Sequence, residues 1–374
     1  MEGNSSVAVT VAKRRNKETI MAAIPVKDKT DSPDVSNRPI AAPARANAQR
    51  RTGIQPSTND LAIEAIGLER RFGHFVAVDG INLAVRRGEI YGFLGPNGAG
   101  KSTTSRIFCT LTAPSGGRAM VAGYDVSKQP GEVRLRIGAA LQATALDNQQ
   151  TGAELLRQQG RYYGLTRSEI NQRLSTLAEL VDLGDALDDR IKGYSCGMKR
   201  RIDLAAALIH NPEVLFLDEP TTGLDPVSRA KVWSEVRRLN DELGMTIFLT
   251  TQYLEEADAL ADRVGIIDHG QIVAEGTPTE LKRSVGSGFV LVQVEDTEIE
   301  KASHVVATVP GVGDVEIHGD ELTASTSDGP AVVSPIAVAL AEAGIRVRAL
   351  TLREPTLDDV FLTMTGNRLE EDNE

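Results

Sequence analysis

Apolar runs without alternating polar positions recur along the middle of the chain and predict strands that are buried on both faces of a parallel sheet. These runs are Glu89–Leu94, Arg136–Leu141, Val214–Glu219 and Met245–Thr250, and shorter strands are predicted at Val264–Ile267 and Gln271–Ala274. Helical periodicity fills the intervals at 152–181, 196–210, 227–243 and 254–262. This alternation of strands and helices predicts an α/β fold with a mostly parallel sheet that is covered on both faces.

Weaker signals refine this pattern at its beginning and in its longest helical segment. Strands are predicted at Leu61–Ile66, at the edge of a sheet, and at Ile81–Val85. Phe72 lies between them, where its ring could stack on an adenine base, although a half-buried strand position explains this residue more simply by itself. The long helical segment breaks near Gly164 and restarts at Thr166–Glu169, where Thr and Glu have the spacing of a capping box.

A different pattern begins after the small residues Gly286-Ser287-Gly288. The order of elements predicted there is strand, helix, strand, strand, helix, strand, at 289–294, 297–308, 312–317, 321–326, 331–343 and 345–351. This order is typical of the ferredoxin-like, split βαβ fold. A last helix is predicted at Thr356–Met364. From residue 287 onward there are 17 acidic and 5 basic residues, and no group of side chains there suggests catalysis.

Composition divides the chain into four predicted parts. These are a disordered extension at 1–59, a main domain at 60–285 with a helical subdomain at about 143–210, an accessory domain at 287–366, and an acidic tail at 367–374. Residues 1–60 contain ten basic and six acidic side chains. Such a tail could contact anionic lipids, but most tails of this kind are simply solvated extensions.

Length, charge and cysteine content limit the class of protein. The 374 residues can bury at least two cores. No apolar run approaches the roughly 18 residues of a membrane span. The first residues lack a secretory apolar segment, so we expect a cytoplasmic location. The two cysteines fit a reducing compartment, and the net charge of −11 argues against nucleic acid as a partner.

A phosphate-binding loop follows the first buried strand. Its sequence fits G-x-x-x-x-G-K-[ST], and the residues are Gly95, Pro96, Asn97, Gly98, Ala99, Gly100, Lys101, Ser102 and Thr103. Strand, glycine-rich turn and helix form the context that this motif requires. Glycines let the backbone N–H groups point at phosphate oxygens, and the helix N-terminus favours negative charge. Lys101 would reach the β- and γ-phosphates, and the Ser102 hydroxyl would bind Mg²⁺.

Two acidic residues end the strand at 214–219. The carboxyl ends of parallel strands are where α/β sheets place their ligands. We therefore expect Asp218 to hold Mg²⁺ through water and Glu219 to polarise the attacking water. The alternative is that both acids only cap the helix that follows. The tight turn Thr221–Pro226 leads into that helix.

Taken together, these elements resemble the ATP-binding cassette (ABC) ATPases over residues 61 to about 285. The matching elements are Phe72, the phosphate loop, Gln142, Tyr194–Met198, Asp218-Glu219, Leu224-Asp225 and the position of Gln252. Within that family, the segments 250–258, 268–270, 274–277 and 354–362 resemble the daunorubicin-resistance type of exporter ATPase. The resemblance implies a P-loop NTPase cassette, with a RecA-like sheet and a helical subdomain, followed by a small ferredoxin-like α+β domain.

The resemblance also implies a role for each matching residue. ATP would contact Phe72 and the phosphate loop of one subunit, and Ser195, Cys196 and Gly197 of another subunit. Mg²⁺ would be held by Ser102, Gln142 and Asp218. Glu219 would be the catalytic carboxylate, and Gln252 would contact the γ-phosphate.

The partners implied are a second copy of the chain and a membrane protein. Two copies would form a head-to-tail dimer that encloses two ATP molecules. A separate permease chain would bind the helical subdomain, which places the protein at the cytoplasmic face of the cell membrane. The function implied is ATP hydrolysis that drives efflux of a hydrophobic drug, antibiotic or lipid-like compound.

The sequence departs from the common family pattern at two positions. Cys196 replaces the first glycine of L-S-G-G-Q, and Gln252 stands where most members have histidine. A Cβ at position 196 restricts the backbone angles available for approach to a phosphate, so we expect Cys196 to slow turnover more than Gln252 does. Glu219 is present, so hydrolysis is still expected.

Two other functions remain open at this point. A soluble ABC ATPase of translation or DNA repair would share the cassette, but such proteins usually carry two cassettes or large insertions and often have basic surfaces. An ATP-clamping module with little hydrolysis is suggested by Cys196. Association with a membrane protein would separate the exporter from the first alternative, and steady-state phosphate release would separate it from the second.

Overall fold

The computed structural model describes residues 60–141, 146–286, 288–326 and 328–366. The strands are β1 (Leu61–Phe72), β2 (Phe75–Arg86), β3 (Ile90–Leu94), β4 (Gly116–Val121), β5 (Tyr124–Asp125), β6 (Ile137–Ala140), β7 (Val214–Asp218), β8 (Thr246–Thr251), β9 (Arg263–Asp268), β10 (Gln271–Gly276), β11 (Gly288–Gln293), β12 (Val312–His318), β13 (Glu321–Thr326) and β14 (Ala349–Arg353). The helices are α1 (Lys101–Phe108), α2 (Pro130–Arg134), α3 (Gly152–Tyr162), α4 (Arg167–Leu180), α5 (Cys196–Leu208), α6 (Pro226–Leu243), α7 (Leu254–Leu260), α8 (Pro278–Ser284), α9 (Ile299–Ala307), α10 (Gly329–Glu342) and α11 (Leu357–Thr365).

A six-stranded sheet in the order β10-β9-β3-β8-β7-β6 forms the centre of the fold. All neighbouring strands in it are parallel except β9 and β10. Leu215 and Leu217 of β7 face a core built with helices α3 to α6. Val214 and Phe216 face the opposite core, which also contains β1, β2 and α1. Burial on both faces explains why β7 has no polar alternation, as the sequence predicted.

An antiparallel sheet in the order β2-β1-β4-β5 covers one side of the second core. The prediction of an edge strand at the start of the chain was wrong, because β1 lies between β2 and β4. The error arose because β4, β5 and α2 carry too few apolar residues to be recognised from sequence. Phe72 is the last residue of β1 and pairs with Phe75 across a tight hairpin.

The helix signals predicted from sequence are present at their expected positions. Thr166 caps α4, and Thr166 and Glu169 form both hydrogen bonds of the predicted capping box. Helix α5 begins after Ser195, whose hydroxyl accepts a hydrogen bond from the N–H of Met198. The turn at His269 and Gly270 joins β9 to β10 with positive φ at both residues. Helix α8, by contrast, was not predicted.

The C-terminal sheet has the order β12-β13-β11-β14 with every pair antiparallel, which is the ferredoxin-like arrangement predicted from the element order. Its last strand begins at Ala349 and not at the predicted residue 345. Ile345 instead belongs to the core of this part, after Gly344 ends the preceding helix with positive φ.

The last helix, α11, packs its apolar side chains against the main cassette. Leu357, Val360 and Phe361 are buried in a cluster with residues of β3, α7, β9 and α8, namely Leu94, Ala257, Ala261, Val264, Ile266 and Leu281. Arg353 holds the start of this helix through two hydrogen bonds to Asp359. The chain therefore returns to the cassette close to the strand that precedes the phosphate loop.

Among the residues that the structure describes, none of the helices is long and apolar enough to cross a membrane.

Candidate functional site

The phosphate loop is fixed by close backbone contacts that admit only glycine at two positions. A Cβ at Gly95 would lie 2.3 Å from the carbonyl oxygen of Ile267. A Cβ at Gly100 would lie 2.4 Å from the carbonyl oxygen of Ala77, and Gly100 has φ of 111°. The loop is thus held between β9 and β2 and leads directly into α1, whose N-terminal N–H groups are directed toward the loop.

Lys101 places a positive charge inside this loop. Its side chain is only 4% exposed, and Nζ donates hydrogen bonds to the carbonyl oxygens of Gly95 (2.6 Å) and Pro96 (3.0 Å). Nζ also lies 3.7 Å from Oε1 of Glu219. Burial lowers the pKa of Lys101, and the carboxylates of Glu219 and Asp218 oppose that shift. The cation is therefore held at the site by the same acids that the sequence assigned to catalysis.

Ser102 and Asp218 meet at the carboxyl edge of the sheet. The Ser102 hydroxyl donates to Oδ1 of Asp218 at 3.2 Å, and Thr250 donates to the same oxygen. A hydroxyl and a carboxylate are hard oxygen ligands of the kind that Mg²⁺ prefers. Among the described residues no cluster of three or more His, Cys, Asp or Glu side chains could hold a metal alone. The pair Ser102 and Asp218 therefore fits Mg²⁺ that is also bound by phosphate oxygens and water.

Glu219 follows β7 in a strained backbone conformation. Its φ is 48°, in the left-handed region, and its N–H donates to the carbonyl oxygen of Thr250 at 3.0 Å. A non-glycine residue in this region costs of the order of 1–3 kcal/mol and occurs often at functional sites. The bond to Thr250 ties Glu219 to the neighbouring strand β8, so that its carboxylate is directed toward Lys101.

Gln252 follows β8, which lies between the strand of the phosphate loop and the strand of the two acids. The N–H of Gly95 donates to the carbonyl oxygen of Thr251 at 3.3 Å, so the ends of β3 and β8 are in direct contact. Gln252 is partly buried at this junction. Gln142 lies outside the described residues, although β6 ends two residues before it.

Ser195, Cys196 and Gly197 lie apart from this edge. Ser195 and Cys196 are exposed, and no hydrogen bond or ion pair within the described part of the chain joins residues 195–197 to residues 95–103. The φ of Cys196 is not positive. Cys196 is the first residue of α5, and its expected effect on turnover stays a prediction.

Two family models match the chain. The model described as ABC transporter matches residues 78–222, and the model described as ATP-binding protein DrrA1-3-like, C-terminal domain, matches residues 276–365. The daunorubicin resistance ATP-binding protein DrrA2 of Streptomyces coeruleorubidus is 48% identical over 83% of this chain and 96% of its own length. The chain belongs to the ATP-binding proteins of the ABC transporter family. The resemblance seen in the sequence is confirmed, and the chain is an ABC-type ATPase.

Two further comparisons support the same assignment for this ABC protein. The linearmycin resistance ATP-binding protein LnrL of Bacillus subtilis (strain 168) is 39% identical over 83% of this chain and 99% of that protein. The solved structure of cbiO1 from Clostridium perfringens, part of the ABC transporter complex cbiONQ, has a TM-score of 0.56 and 27% identity. It covers 60% of this chain and 93% of its own, which confirms the predicted cassette fold.

Phe72 is exposed on the ABC cassette, but an arginine side chain lies over one face of its ring. It is 48% exposed, and the Arg70 guanidinium lies 4.4 Å from its ring centroid. Phe75, directly opposite in the hairpin, is 61% exposed. An adenine base could stack on Phe72 either after Arg70 moves or on the opposite face.

Arg200 is a residue of the ABC site that sequence reasoning missed. It lies on α5, four positions after Cys196, and its largely buried guanidinium donates to the carbonyl oxygens of Leu141 (3.1 Å), Asp218 (3.1 Å) and Pro220 (3.1 Å). These carbonyls flank Glu219 and precede Gln142. The sequence offers only an arginine close to Ser195–Gly197, which we call the signature segment, and the partners of Arg200 are backbone atoms that no sequence pattern displays.

Proposed function

We propose that this ABC ATPase works as a head-to-tail dimer that energises export of a hydrophobic, antibiotic-like compound through a separate permease. The observation that supports the dimer is the division of the site within one chain. Lys101 lies next to Glu219 and Ser102 donates to Asp218, whereas Ser195 and Cys196 are exposed, and within the described part of the chain no hydrogen bond joins residues 195–197 to the phosphate loop. A second copy could supply its signature segment to the phosphates bound by the first.

Nucleotide binding would use the loop and the rim. Phosphate oxygens would accept hydrogen bonds from the loop N–H groups of residues 95–103 and from Lys101, whose Nζ already donates to two loop carbonyls. Phe72 would carry the adenine. Nζ of Lys101 would donate to phosphate oxygens in place of the two loop carbonyls. Its attraction to Glu219 would weaken because the phosphates carry more negative charge than one carboxylate.

Ser102, Asp218 and Gln142 would hold Mg²⁺ together with phosphate oxygens. When bound, the ion neutralises charge on the phosphates and polarises the phosphoryl group. Thr250 orients Asp218 by donating to Oδ1, so that the other carboxylate oxygen stays available for a water ligand. The hydrogen bond from Ser102 to Asp218 would be exchanged for contacts with the ion.

Hydrolysis would depend on Glu219 and Gln252. Glu219 would accept a proton from the water that attacks the γ-phosphorus, while the bond to ADP breaks and phosphate leaves. Gln252 would donate an amide hydrogen bond to the γ-phosphate, since it lies at the end of the strand between β3 and β7. Removal of the γ-phosphate would release the second copy's Ser195, Cys196 and Gly197 and open the dimer.

Transport itself would require a membrane partner. Relatives named for daunorubicin and linearmycin resistance support an exported compound that is hydrophobic or amphipathic. The helical segment from α3 to α5, reached through Gln142, would contact the permease and place this ATPase at the cytoplasmic face of the membrane. The similarity to resistance proteins over more than four fifths of the chain favours this function over one in translation or DNA repair.

Purification from the native host tests the membrane partner. A tagged chain should recover one multi-span membrane protein in fixed ratio from detergent extracts. The pair in liposomes should move a hydrophobic antibiotic only with ATP, and Glu219→Gln should assemble equally but transport nothing. Recovery with ribosomes or DNA, and with no membrane protein, would overturn the proposal.

Phosphate release tests the remaining alternative. The purified wild-type chain should release phosphate at steady state, and Glu219→Gln should lower that rate by about 100-fold or more because the water-polarising carboxylate is lost. Equal, barely measurable rates in both proteins would support an ATP-clamping module in place of an ATPase that drives transport.

A further inference from the structure

A fully buried glutamate joins the two segments that carry the proposed catalytic side chains. Glu256 of α7 is 0% exposed. Its Oε1 accepts a hydrogen bond from the Thr221 hydroxyl at 2.9 Å and another from Nε1 of Trp233 at 3.0 Å. Thr221 comes two residues after Glu219, and Glu256 comes four residues after Gln252. One carboxylate oxygen thus connects the loop after β7, helix α6 and the helix that follows β8.

Thr221, one of the two donors to Glu256, begins a tight turn, and a second contact joins α6 to the segment after β8. Thr221 is fully buried, and its carbonyl oxygen accepts the N–H of Leu224 at 3.2 Å, which closes the turn that follows Glu219. The Arg229 guanidinium of α6 lies 4.6 Å from the ring centroid of Tyr253, the residue after Gln252. The loop, α6 and the segment at 252–256 are therefore connected at two separate points.

A carboxylate is a costly way to make these connections. Burial raises the pKa of Glu256, while the hydrogen bonds from Thr221 and Trp233 and the charge of Arg229 oppose that shift. Burying a carboxylate costs free energy, and hydrogen bonds to it offset that cost and fix the positions of their donors. Here the arrangement secured is the distance between the loop of Glu219 and the helix that follows Gln252.

We propose that Glu256 is a positioning residue for ATP hydrolysis, which sets Glu219 relative to Gln252 by holding Thr221 and Trp233. The inference rests on the proposed roles of Glu219 and Gln252. Among the described residues no hydrogen bond or ion pair joins Glu256 to the phosphate loop, so its loss should lower kcat and leave the KM for ATP nearly unchanged. The carbonyl oxygen of glutamine can accept the same two hydrogen bonds, so the function should survive without the negative charge.

The first test compares Glu256→Leu with Glu256→Gln and with Glu255→Gln as the control, since Glu255 is the exposed neighbour on the same helix. Glu256→Leu should lower kcat by about tenfold or more, because two buried donors lose their acceptor. Its KM should stay within about threefold of wild type, while Glu256→Gln and the control should stay within about threefold in both parameters.

The tryptophan supplies a spectroscopic reading of the same contact. Trp233 is the single tryptophan of the chain, so its emission reports the bond to Glu256 directly. Emission should change in Glu256→Leu and remain as in wild type in Glu256→Gln. A Glu256→Leu protein with altered emission and wild-type kcat would overturn the inference, because the contact would be lost without effect on hydrolysis.

Thr221→Val keeps the test decisive if Glu256→Leu does not fold. It removes one donor at nearly constant shape, and it should lower kcat by about threefold or more with KM preserved. Wild-type kcat in a folded Thr221→Val protein would overturn the inference. Wild type and Glu219→Gln are assayed in the same series. Equal turnover in those two proteins would show that the proposed role of Glu219 is wrong, separately from any result at Glu256.

Discussion

The phosphate-loop edge, by which we mean the phosphate loop together with Asp218 and Glu219 at the carboxyl edge of the central sheet, differs in construction from the signature segment Ser195–Gly197. At the edge, Lys101 is buried with its Nζ next to Glu219, and Ser102 donates a hydrogen bond to Asp218. In the signature segment, Ser195 and Cys196 are exposed, and the Ser195 hydroxyl only caps its own helix. The side chains proposed to orient phosphate and water are therefore preorganised within one chain, whereas the segment proposed to come from a second copy lies at the surface.

Arg200 is the physical link between these two regions. It belongs to the signature helix, yet its hydrogen bonds go to the backbone on both sides of Glu219 and just before Gln142. We therefore expect a displacement of α5 to move the backbone on both sides of Glu219. Variants that affect one region, the link or the other region should accordingly give different kinetic signatures.

The largest effect is expected at the preorganised edge. Lys101→Ala should weaken ATP binding by about 100-fold or more, because the buried cation that faces the phosphates is lost. Titration calorimetry measures the affinity. Lys128→Ala is the control, since its side chain is 83% exposed, and it should bind like wild type. Affinity within a few-fold of wild type in Lys101→Ala would show that the loop backbone alone binds the nucleotide.

An intermediate effect is expected at the link. Arg200→Met keeps the alkyl chain but removes the donors to four carbonyls, so kcat should fall by about tenfold while ATP affinity changes little. Lys199→Met, which removes a charge from the adjacent position on the same helix, should leave kcat within about twofold. Equal kinetics in the two variants would mean that α5 is not coupled to the catalytic edge through Arg200.

A smaller, pH-dependent effect is expected where the signature helix ends. Nε2 of His210 donates to the carbonyl oxygen of Ile137 at 2.9 Å, and its ring stacks on Tyr163. Burial lowers the pKa of His210 to about 4, and the nearby Arg173 adds to that shift. Below about pH 6.5 His210 binds a proton in the unfolded chain but stays neutral in the folded chain. The free energy of unfolding therefore falls as the pH is lowered.

Comparison with His210→Phe isolates that contribution. Between pH 7.5 and 5.5 the wild type should lose about 1 kcal/mol of unfolding free energy relative to His210→Phe, which retains the stacked ring but cannot titrate. Urea unfolding at the two pH values measures the difference. A constant difference between the two proteins over this range would show that His210 accepts a proton in the folded state.

The smallest effect is expected at Cys196. Cys196→Gly should change turnover by less than about twofold, because the φ of Cys196 is not positive and its side chain is exposed. Gln252→His is the comparison. A rise of turnover in Cys196→Gly well above that in Gln252→His would support the interpretation made from sequence, that the Cβ at this position limits approach to the phosphate.

The phosphate-loop edge was predictable from sequence, whereas the contacts that support it were not. The apolar runs ending in Gly95 and Asp218 fix both a strand and its chemical end, since the carboxyl ends of parallel strands meet at one edge. The prediction of the central sheet was confirmed for that reason, and the ferredoxin-like order was confirmed because it follows from the sequence of strands and helices along the chain. Strand β4, which made β1 an inner strand, was missed because its residues are mostly small or polar.

The unpredicted parts depend on contacts between distant residues and backbone atoms. Arg200 binds carbonyl oxygens, and Glu256 binds side chains that are 35 and 23 positions away in the chain. The backbone angle at Cys196 likewise depends on its place at the start of α5. The roles of the individual site residues stay predictions until the variants are measured.

Alkylation of Cys196 in the Glu219→Gln protein tests the division of the site most directly. Of the two cysteines in the chain, Cys109 is buried and Cys196 is exposed, so mass spectrometry of a maleimide-treated protein reads the signature segment alone. With ATP bound and hydrolysis blocked, the alkylation rate of Cys196 should fall about tenfold or more. The protection should increase with protein concentration as dimers form, because a second copy covers the segment. An unchanged rate at saturating ATP, or protection that does not depend on protein concentration, would contradict the account.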